Sequence, residues 1–270
     1  MSQAPTNATL APRRYGAINW IGLYTLYRKE VRRFLAVGTQ TVLAPMVTTL
    51  LFLAVFVLAM GRSVDLVGGV PYMEFLAPGL IMMAMTQNAF ANTSSSLMIA
   101  KIQGNIVDLL MPPLTAFEIT LGLALGGLTR GIVVGLATAA AIWVFVPLHL
   151  SHVWAVVFYA AMASLMLAQL GVVAGIYAEK FDHMAAVTNF IITPLAFLSG
   201  TFYSTERLPD FGRLLAHLNP FFYMIDGFRY GFFGQSDINP WISFCIVAAF
   251  LVVLALLAIR LLRSGYRLRH

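Results

Sequence analysis

The chain has 270 residues, of which 60% are hydrophobic and 10% are charged, and its net charge at pH 7 is +6. Soluble domains carry about 25% charged residues, so this composition excludes a soluble globular domain and predicts a membrane protein. The basic residues flank apolar runs, which favours anionic lipid headgroups over nucleic acid as their partners. The N-terminal region is polar and basic without a short apolar core, so no cleaved signal peptide is expected.

The first predicted element is an amphipathic helix within residues 19–38. Its apolar side chains recur at helical spacing: Trp20, Leu23, Tyr24, Tyr27, Val31 and Phe34. The opposite side is largely filled by basic residues: Arg28, Lys29, Arg32 and Arg33. This pattern predicts a helix that lies in the cytoplasmic interface of the membrane. Two roles stay open for it, a simple lipid anchor and a docking element for a cytoplasmic partner.

Six apolar segments follow, each close to the ~20 residues that cross a bilayer as a helix. They are Val42–Met60, Tyr72–Ile99, Glu118–Val146, Val153–Tyr177, Ala185–Tyr203 and Trp241–Leu262. Six spans place both termini on the same side of the membrane. Twelve lysines and arginines then fall on that side and four on the other, so the positive-inside rule predicts that both termini are cytoplasmic.

A cytoplasmic loop is predicted at residues 101–117, between the second and third spans. A simple connection needs about two to eight residues, and this loop is longer. It contains "NIVDLLM", an apolar-periodic segment that ends before Pro112 and Pro113, because proline cannot continue a helix. We expect a short, rigidly ended helix that presents Ile106, Leu109 and Leu110 to a groove on another protein.

The third span carries glycines at four-residue spacing together with an arginine. The glycines are Gly122, Gly126, Gly127, Gly131 and Gly135. Small residues at this spacing let helices approach closely, and packing within one subunit is favoured over a dimer face. Arg130 costs about 3 kcal/mol at mid-bilayer, so we expect it to face protein or water and to have a partner. It either lines a pathway for an anionic substrate or belongs to a buried structural pair.

Residues 204–240 form a long predicted outer segment between the last two spans. The apolar pieces on either side of Asn219-Pro220 are too short to cross a membrane, which predicts re-entrant half-helices. Asp226 and Arg229 are three residues apart, so they share a helix face and are expected to pair. A structural ion pair is favoured over a substrate role.

The cytoplasmic loop and the outer segment resemble the corresponding motifs of type-2 ABC transporter permeases, including the bacterial YadH-type and NodJ-like branch. The outer motif is carried by "TPLAFLSGTFYSTERLP" and "LNPFFYMIDGFRYGFFG". The resemblance implies that residues 101–117 couple to an ATPase through Lys101, Gly104, Asn105, Ile106, Asp108, Leu109, Leu110 and Pro112. It implies an outer gate formed by Pro209, Asn219, Pro220, Tyr223, Asp226 and Arg229. It covers nearly the whole chain, as one all-α polytopic membrane domain over residues 1–270 with six transmembrane helices.

The chain has no P-loop, since none of Lys29, Lys101 and Lys180 follows a glycine. The resemblance therefore implies a non-enzymatic permease subunit that binds no cofactor or metal itself. Two copies would work with two ATPase subunits that hold ATP and Mg²⁺. The expected function is export of a lipid-like, lipid-linked saccharide or amphipathic drug-like substrate across a bacterial inner membrane. The alternatives are an ion-coupled secondary transporter or channel, and a membrane scaffold without transport.

Overall fold

The computed structural model describes residue 16 and residues 18–60, 66–67, 69–203 and 209–267. Apart from one short hairpin, the regular structure in these ranges is helical. The elements are α1 (Trp20–Leu35), a π-helical turn (Thr39–Leu43), α2 (Ala44–Met60), β1 (Leu66–Val67), β2 (Val70–Pro71), α3 (Tyr72–Ile102), α4 (Ile106–Leu110), α5 (Ala116–Trp143), α6 (Val153–Tyr177), α7 (Phe181–Val187), a second π-helical segment (Thr188–Ile192), α8 (Thr193–Phe197), α9 (Asp210–Leu218), α10 (Pro220–Phe233) and α11 (Pro240–Ser264). The two strands pair antiparallel.

Four helices in the described part of the chain are long and apolar enough to cross a membrane. They are the helix at Thr39–Ala59, α5, α6 and α11, and they coincide with four of the six predicted spans. The second predicted span corresponds to α3, which has 31 residues but a polar second half. The fifth, Ala185–Tyr203, overlaps α7, the second π-helical segment and α8, which follow one another without a gap from Phe181 to Phe197. Six crossings and cytoplasmic termini therefore stay predictions.

The most polar long helix lies at the centre of the fold. α3 packs against α5 and α6, and its buried residues include Asn88, Asn92 and Thr93. In contrast, few side chains of α2 and α11 are fully buried within the chain, and most are partly or largely exposed. A membrane protein favours this arrangement because polar groups find partners only inside the protein, while apolar groups are stable against lipid.

The glycines of α5 are packing positions within the chain, which confirms the favoured prediction. A Cβ at Gly126 would lie 2.5 Å from Cβ of Glu30 in α1, and one at Gly131 would lie 2.8 Å from Oγ of Ser164 in α6. These separations are shorter than carbon and oxygen atoms tolerate without a shift of the neighbouring helix. The small residues therefore allow α1 and α6 to approach the backbone of α5.

The predicted N-terminal helix is present as α1, but its buried side differs from the predicted apolar face. Its buried residues are Leu23, Leu26, Glu30 and Phe34. Trp20 and Tyr24, which were predicted to share the apolar face, are 67% and 61% exposed. The difference arises because Glu30 has partners inside the protein, so the inward side of α1 includes a carboxylate. Whether α1 lies flat in a membrane interface stays a prediction.

Candidate functional site

The predicted cytoplasmic loop folds as a short helix between two sharp turns. α3 ends at Ile102, and Gly104 has a φ of +73°, a left-handed conformation that favours glycine. Asn105 precedes α4, and Met111 follows it directly. Pro112 and Pro113 then separate α4 from α5, which begins at Ala116. The expected short helix with a proline stop is therefore present, while its role in coupling stays a prediction.

The apolar side chains of α4 do not all project outward as expected. Leu109 is only 6% exposed and belongs to a buried apolar cluster that includes Ile119 of α5. Ile106 and Leu110 are partly buried and pack against the same cluster. The apolar side chains that do project outward are Val107 and Met111, which are 51% and 78% exposed. The prediction that Leu109 projects outward to contact another protein is therefore wrong. Its side chain is buried and anchors α4 to the rest of the chain.

Lys101 is directed into the chain at the end of α6. Its ammonium donates to the backbone carbonyl oxygens of Ile176 and Ala178, with a distance of 3.1 Å to the latter. The last carbonyls of a helix lack partners within the helix, and a cation near them is stabilising. Lys101 therefore fixes the end of α3 to the end of α6.

Glu118 is a central residue of this region that is not among the residues predicted from the sequence. Its side chain is buried and accepts hydrogen bonds from the backbone N–H groups of Asn19 (2.5 Å) and Thr115 (2.6 Å) and from the Thr115 hydroxyl (2.8 Å). Asn19 also donates from Nδ2 to the carbonyl of Pro113 at 3.2 Å. The sequence does contain a signal for the bonds between Thr115 and Glu118, because these two residues have the spacing of a capping box.

The outer segment places two of the predicted gate residues at the junction of α9 and α10. Asn219 is 2% exposed, its Oδ1 accepts from the N–H of Phe221 at the start of α10, and its Nδ2 donates to the carbonyl of Leu195 at 2.6 Å. Pro220 is the first residue of α10, where its missing N–H has no cost. Asn219 thereby joins three segments of the chain at one point.

Two further predicted gate residues, Tyr223 and Pro209, lie in different environments. Tyr223 is 9% exposed and donates from its hydroxyl to the carbonyl of His217 at 2.8 Å. Pro209 is exposed at the start of α9. The nine residues of α9 and fourteen of α10 are too few to cross a membrane. Their re-entrant placement and gating role stay predictions, and residues 204–208 of the predicted outer segment lie outside the described residues.

The predicted ion pair between Asp226 and Arg229 is not formed, because each side chain has other partners in the described structure. Asp226 accepts from the backbone N–H groups of Asp237 (2.8 Å) and Ile238 (3.3 Å). Arg229 donates to the carbonyl of Gly200 at 3.1 Å, and its guanidinium carbon lies 3.8 Å from the ring centroid of Phe75. The two charges therefore anchor different segments to α10.

Burial governs the protonation of both groups. It raises the pKa of the Asp226 carboxyl to about 6, against the effect of its two backbone hydrogen bonds and of the nearby Arg229 charge. Burial lowers the pKa of Arg229 to about 10, so this side chain keeps its charge at neutral pH.

Arg130 has a neutral partner. Its Nη2 donates to Oδ1 of Asn88 on α3 at 3.0 Å. Among the described residues no carboxylate forms a salt bridge with it. The buried carboxylate of Glu30 pairs instead with Arg33 at 2.9 Å. Arg130 therefore faces the protein, as expected for an intramembrane arginine. One of the two alternatives was a buried structural pair; the pair that Arg130 forms, with Asn88, is a hydrogen bond to a neutral amide and not an ion pair.

These features define an α-helical membrane protein whose polar groups lie between its helices. Residues 22–233 match the family model described as ABC-2 type transporter. The chain is 38% identical over 251 residues to the inner membrane transport permease YadH of Escherichia coli (strain K12), covering 93% of this chain and 98% of that protein. It is 27% identical over 253 residues to nodulation protein J of Rhizobium leguminosarum bv. viciae, covering 92% and 95%. The chain belongs to the ABC-2 type transporter family.

Proposed function

We propose that this chain is the permease subunit of an ATP-driven exporter in a bacterial inner membrane. Family membership supports a transport role, and the name of the Escherichia coli relative, an inner membrane transport permease, supports the location. ATP hydrolysis takes place on a separate ATPase subunit, because the sequence contains no P-loop lysine. Two permease copies and two ATPase subunits form the working complex, and the termini lie in the cytoplasm.

The observation that carries the proposal is how α4 is attached. Lys101, just before it, is bonded to the end of α6. Leu109, within it, is buried against the start of α5. Glu118, just after it, is bonded to the N-terminal end of α1. A force on α4 is therefore transmitted to several long helices, which is the mechanical requirement for coupling an ATPase to a transport path.

The surface that α4 offers to the ATPase is its exposed side. Asn105, Val107, Asp108 and Met111 are exposed, and Pro112 is exposed where the helix stops. An apolar pair with a neighbouring carboxylate suits a groove that has apolar walls and a basic rim. The contact residues are then Val107, Asp108 and Met111, while Leu109 holds the helix in place.

Cargo of amphipathic, lipid-like or lipid-linked saccharide character is supported by an open apolar groove of about 790 Å³ between α3, α5, α6 and α10. Its walls include Met85, Trp143, Phe228 and Phe232. A groove of this size and composition accommodates an alkyl chain or a hydrophobic ring system.

The test is co-purification of the ATPase with Met111→Asp, with Met111→Leu as the matched control. A carboxylate at an exposed position leaves the fold unchanged but places an unpaired charge in the apolar contact. We expect Met111→Asp to lose the P-loop ATPase and vanadate-sensitive ATP hydrolysis, and Met111→Leu to keep both. Normal ATPase recovery and export by Met111→Asp contradict the coupling role of α4. Transport by the purified chain alone, driven by a proton gradient, contradicts the ATP-driven mechanism.

A further inference from the structure

One side of α3 carries polar residues that face α1 and α5. We call it the α3 polar stripe, and it consists of Asn88, Asn92, Ser95 and Ser96. Their three- and four-residue spacing puts them on one face of the helix. Oγ of Ser96 donates to Oε1 of Glu30 in α1 at 2.7 Å.

Two arginines reach this stripe from different helices. Nη2 of Arg33 in α1 donates to the backbone oxygen of Asn92 at 2.6 Å and to its Oδ1 at 3.1 Å, and Nη1 donates to Oγ of Ser95 at 3.2 Å. Nη2 of Arg130 in α5 donates to Oδ1 of Asn88 at 3.0 Å. Asn88 and Asn92 are about 6 Å apart along the helix axis, so the guanidinium groups meet the stripe on successive turns.

Three N–H donors at this place are buried without a hydrogen-bond partner. They are Nε of Arg33, Nδ2 of Asn92 and Nε of Arg130. Asn92 is 0% exposed. Exchanging its amide oxygen and nitrogen gives no relief, because the exchange would place the NH₂ group 3.1 Å from Nη2 of Arg33, which is also a donor. Buried donors are nearly always paired, so these three N–H groups are available to a bound acceptor.

The charges at the stripe do not balance either. Glu30 is 1% exposed and neutralises one arginine through its salt bridge with Arg33. Within the described residues no carboxylate forms a salt bridge with Arg130. Two guanidinium groups and one carboxylate leave an excess of one positive charge. An uncompensated charge on a half-buried side chain of a membrane protein is stabilised when an anion joins it.

We propose that Arg33, Asn92 and Arg130 bind a phosphate-class anion with a single negative charge. Guanidinium groups bind phosphate oxygens with paired hydrogen bonds, and a tetrahedral anion accepts from donors that arrive from different directions. Other atoms of the two arginines reach the surface, since the Arg33 side chain is 26% exposed and Arg130 is half-buried. The three N–H groups themselves are buried, so binding requires these side chains to shift toward the anion. A phospholipid headgroup and free phosphate share this chemistry. The site goes beyond the proposed function, and its occupation requires neither the ATPase nor transport.

The test measures binding to the purified full chain at fixed ionic strength by native mass spectrometry and by the shift of its thermal unfolding midpoint. The probes are short-chain phosphatidylglycerol, which has a net negative charge, phosphatidylcholine, which has none, and inorganic phosphate. Arg130→Gln is the main variant, because its partner Asn88 is neutral and no buried carboxylate loses its cation. Arg32→Gln is the matched control, since Arg32 is exposed on the same helix as Arg33.

We expect wild type to prefer phosphatidylglycerol over phosphatidylcholine, and Arg130→Gln to weaken that binding about tenfold or more. Arg32→Gln should bind as wild type does. Asn92→Asp keeps the side-chain shape and places a carboxylate beside Arg33, so it should lose anion binding. A response to phosphatidylglycerol alone supports a lipid headgroup as the source, and an equal response to inorganic phosphate supports the free ion. No preference in wild type, unchanged binding by Arg130→Gln, or an equal loss in Arg32→Gln overturns the proposal.

Discussion

Replacing Glu118 with glutamine should release the N-terminal end of α1 from the start of α5. The two carboxylate oxygens have different partners: Oε1 accepts from the N–H of Asn19, and Oε2 accepts from the N–H and hydroxyl of Thr115. A glutamine side chain keeps one oxygen and replaces the other with an NH₂ group. That group then faces a backbone N–H, so at least one buried donor loses its acceptor.

The expected cost follows from the burial and number of these hydrogen bonds. A hydrogen bond to a charged group contributes about 1.5–3 kcal/mol, and an unpaired buried donor costs about 1–3 kcal/mol. The lost negative charge in the first turn of α5 adds about 0.5 kcal/mol. Because these effects overlap, we expect a local destabilisation of ~2–4 kcal/mol.

Glu179→Gln is the matched control. Glu179 is 52% exposed in its 3.3 Å salt bridge with Arg267, and losing this salt bridge should cost below ~1 kcal/mol.

Hydrogen exchange of the full chain, followed on peptides that contain Asn19 and Thr115, reports this release directly. An opening free energy lowered by ~2 kcal/mol accelerates exchange about 30-fold at these amides. The peptides from the buried part of α3 provide an internal reference that should not change. Unchanged exchange near Asn19 in Glu118→Gln, or an equal acceleration in Glu179→Gln, would refute the assigned role of the buried carboxylate.

Three further substitutions are expected to shift the unfolding midpoint of the full chain in one detergent. Leu109→Ala should destabilise the chain by about 2–4 kcal/mol because Leu109 is buried. Val107→Ala, on the exposed side of α4, should change the stability by no more than ~0.5 kcal/mol. Equal effects of the two substitutions would contradict the orientation of α4. Gly127→Ala should destabilise the chain by about 1–3 kcal/mol, because the added Cβ would lie 3.0 Å from a backbone oxygen of α3. Gly38→Ala is the control, since a Cβ at Gly38 would enter open space, and it should not destabilise the chain. Asn219→Ala should cost about 1–2 kcal/mol through the lost cap of α10 and the lost bond to α8; a neutral result contradicts a joining role.

The sequence predicts those features that depend on local chemistry. Apolar length locates the spanning-length helices, and Pro112 after an apolar-periodic segment locates the end of α4. The four-residue spacing of the α5 glycines predicts close helix packing, which the contact of Gly126 with α1 confirms. Each of these signals lies within one segment of the chain.

Features that depend on distant partners are not accessible to the same reasoning. The spacing of Asp226 and Arg229 correctly puts them on one side of α10, but the partners they choose, Asp237 and Gly200, come from other segments. Leu109 and Val107 are both apolar residues of one short helix, and only the position of α5 decides that Leu109 is buried. Helical spacing defines a face without stating what that face meets.

The two polar contacts of α1 have a joint mechanical consequence for the proposed coupling. α1 has 16 residues and is about 24 Å long. Near its N-terminal end Asn19 is bonded to Glu118 of α5, and near its C-terminal end Arg33 is bonded to Asn92 of α3. α3 and α5 are the helices that precede and follow α4, so α1 braces the two sides of the coupling segment. Separating α3 from α5 requires breaking one of these two contacts, whereas moving α1, α3, α4 and α5 together breaks neither. A force on α4 should therefore move this group of helices as a rigid body.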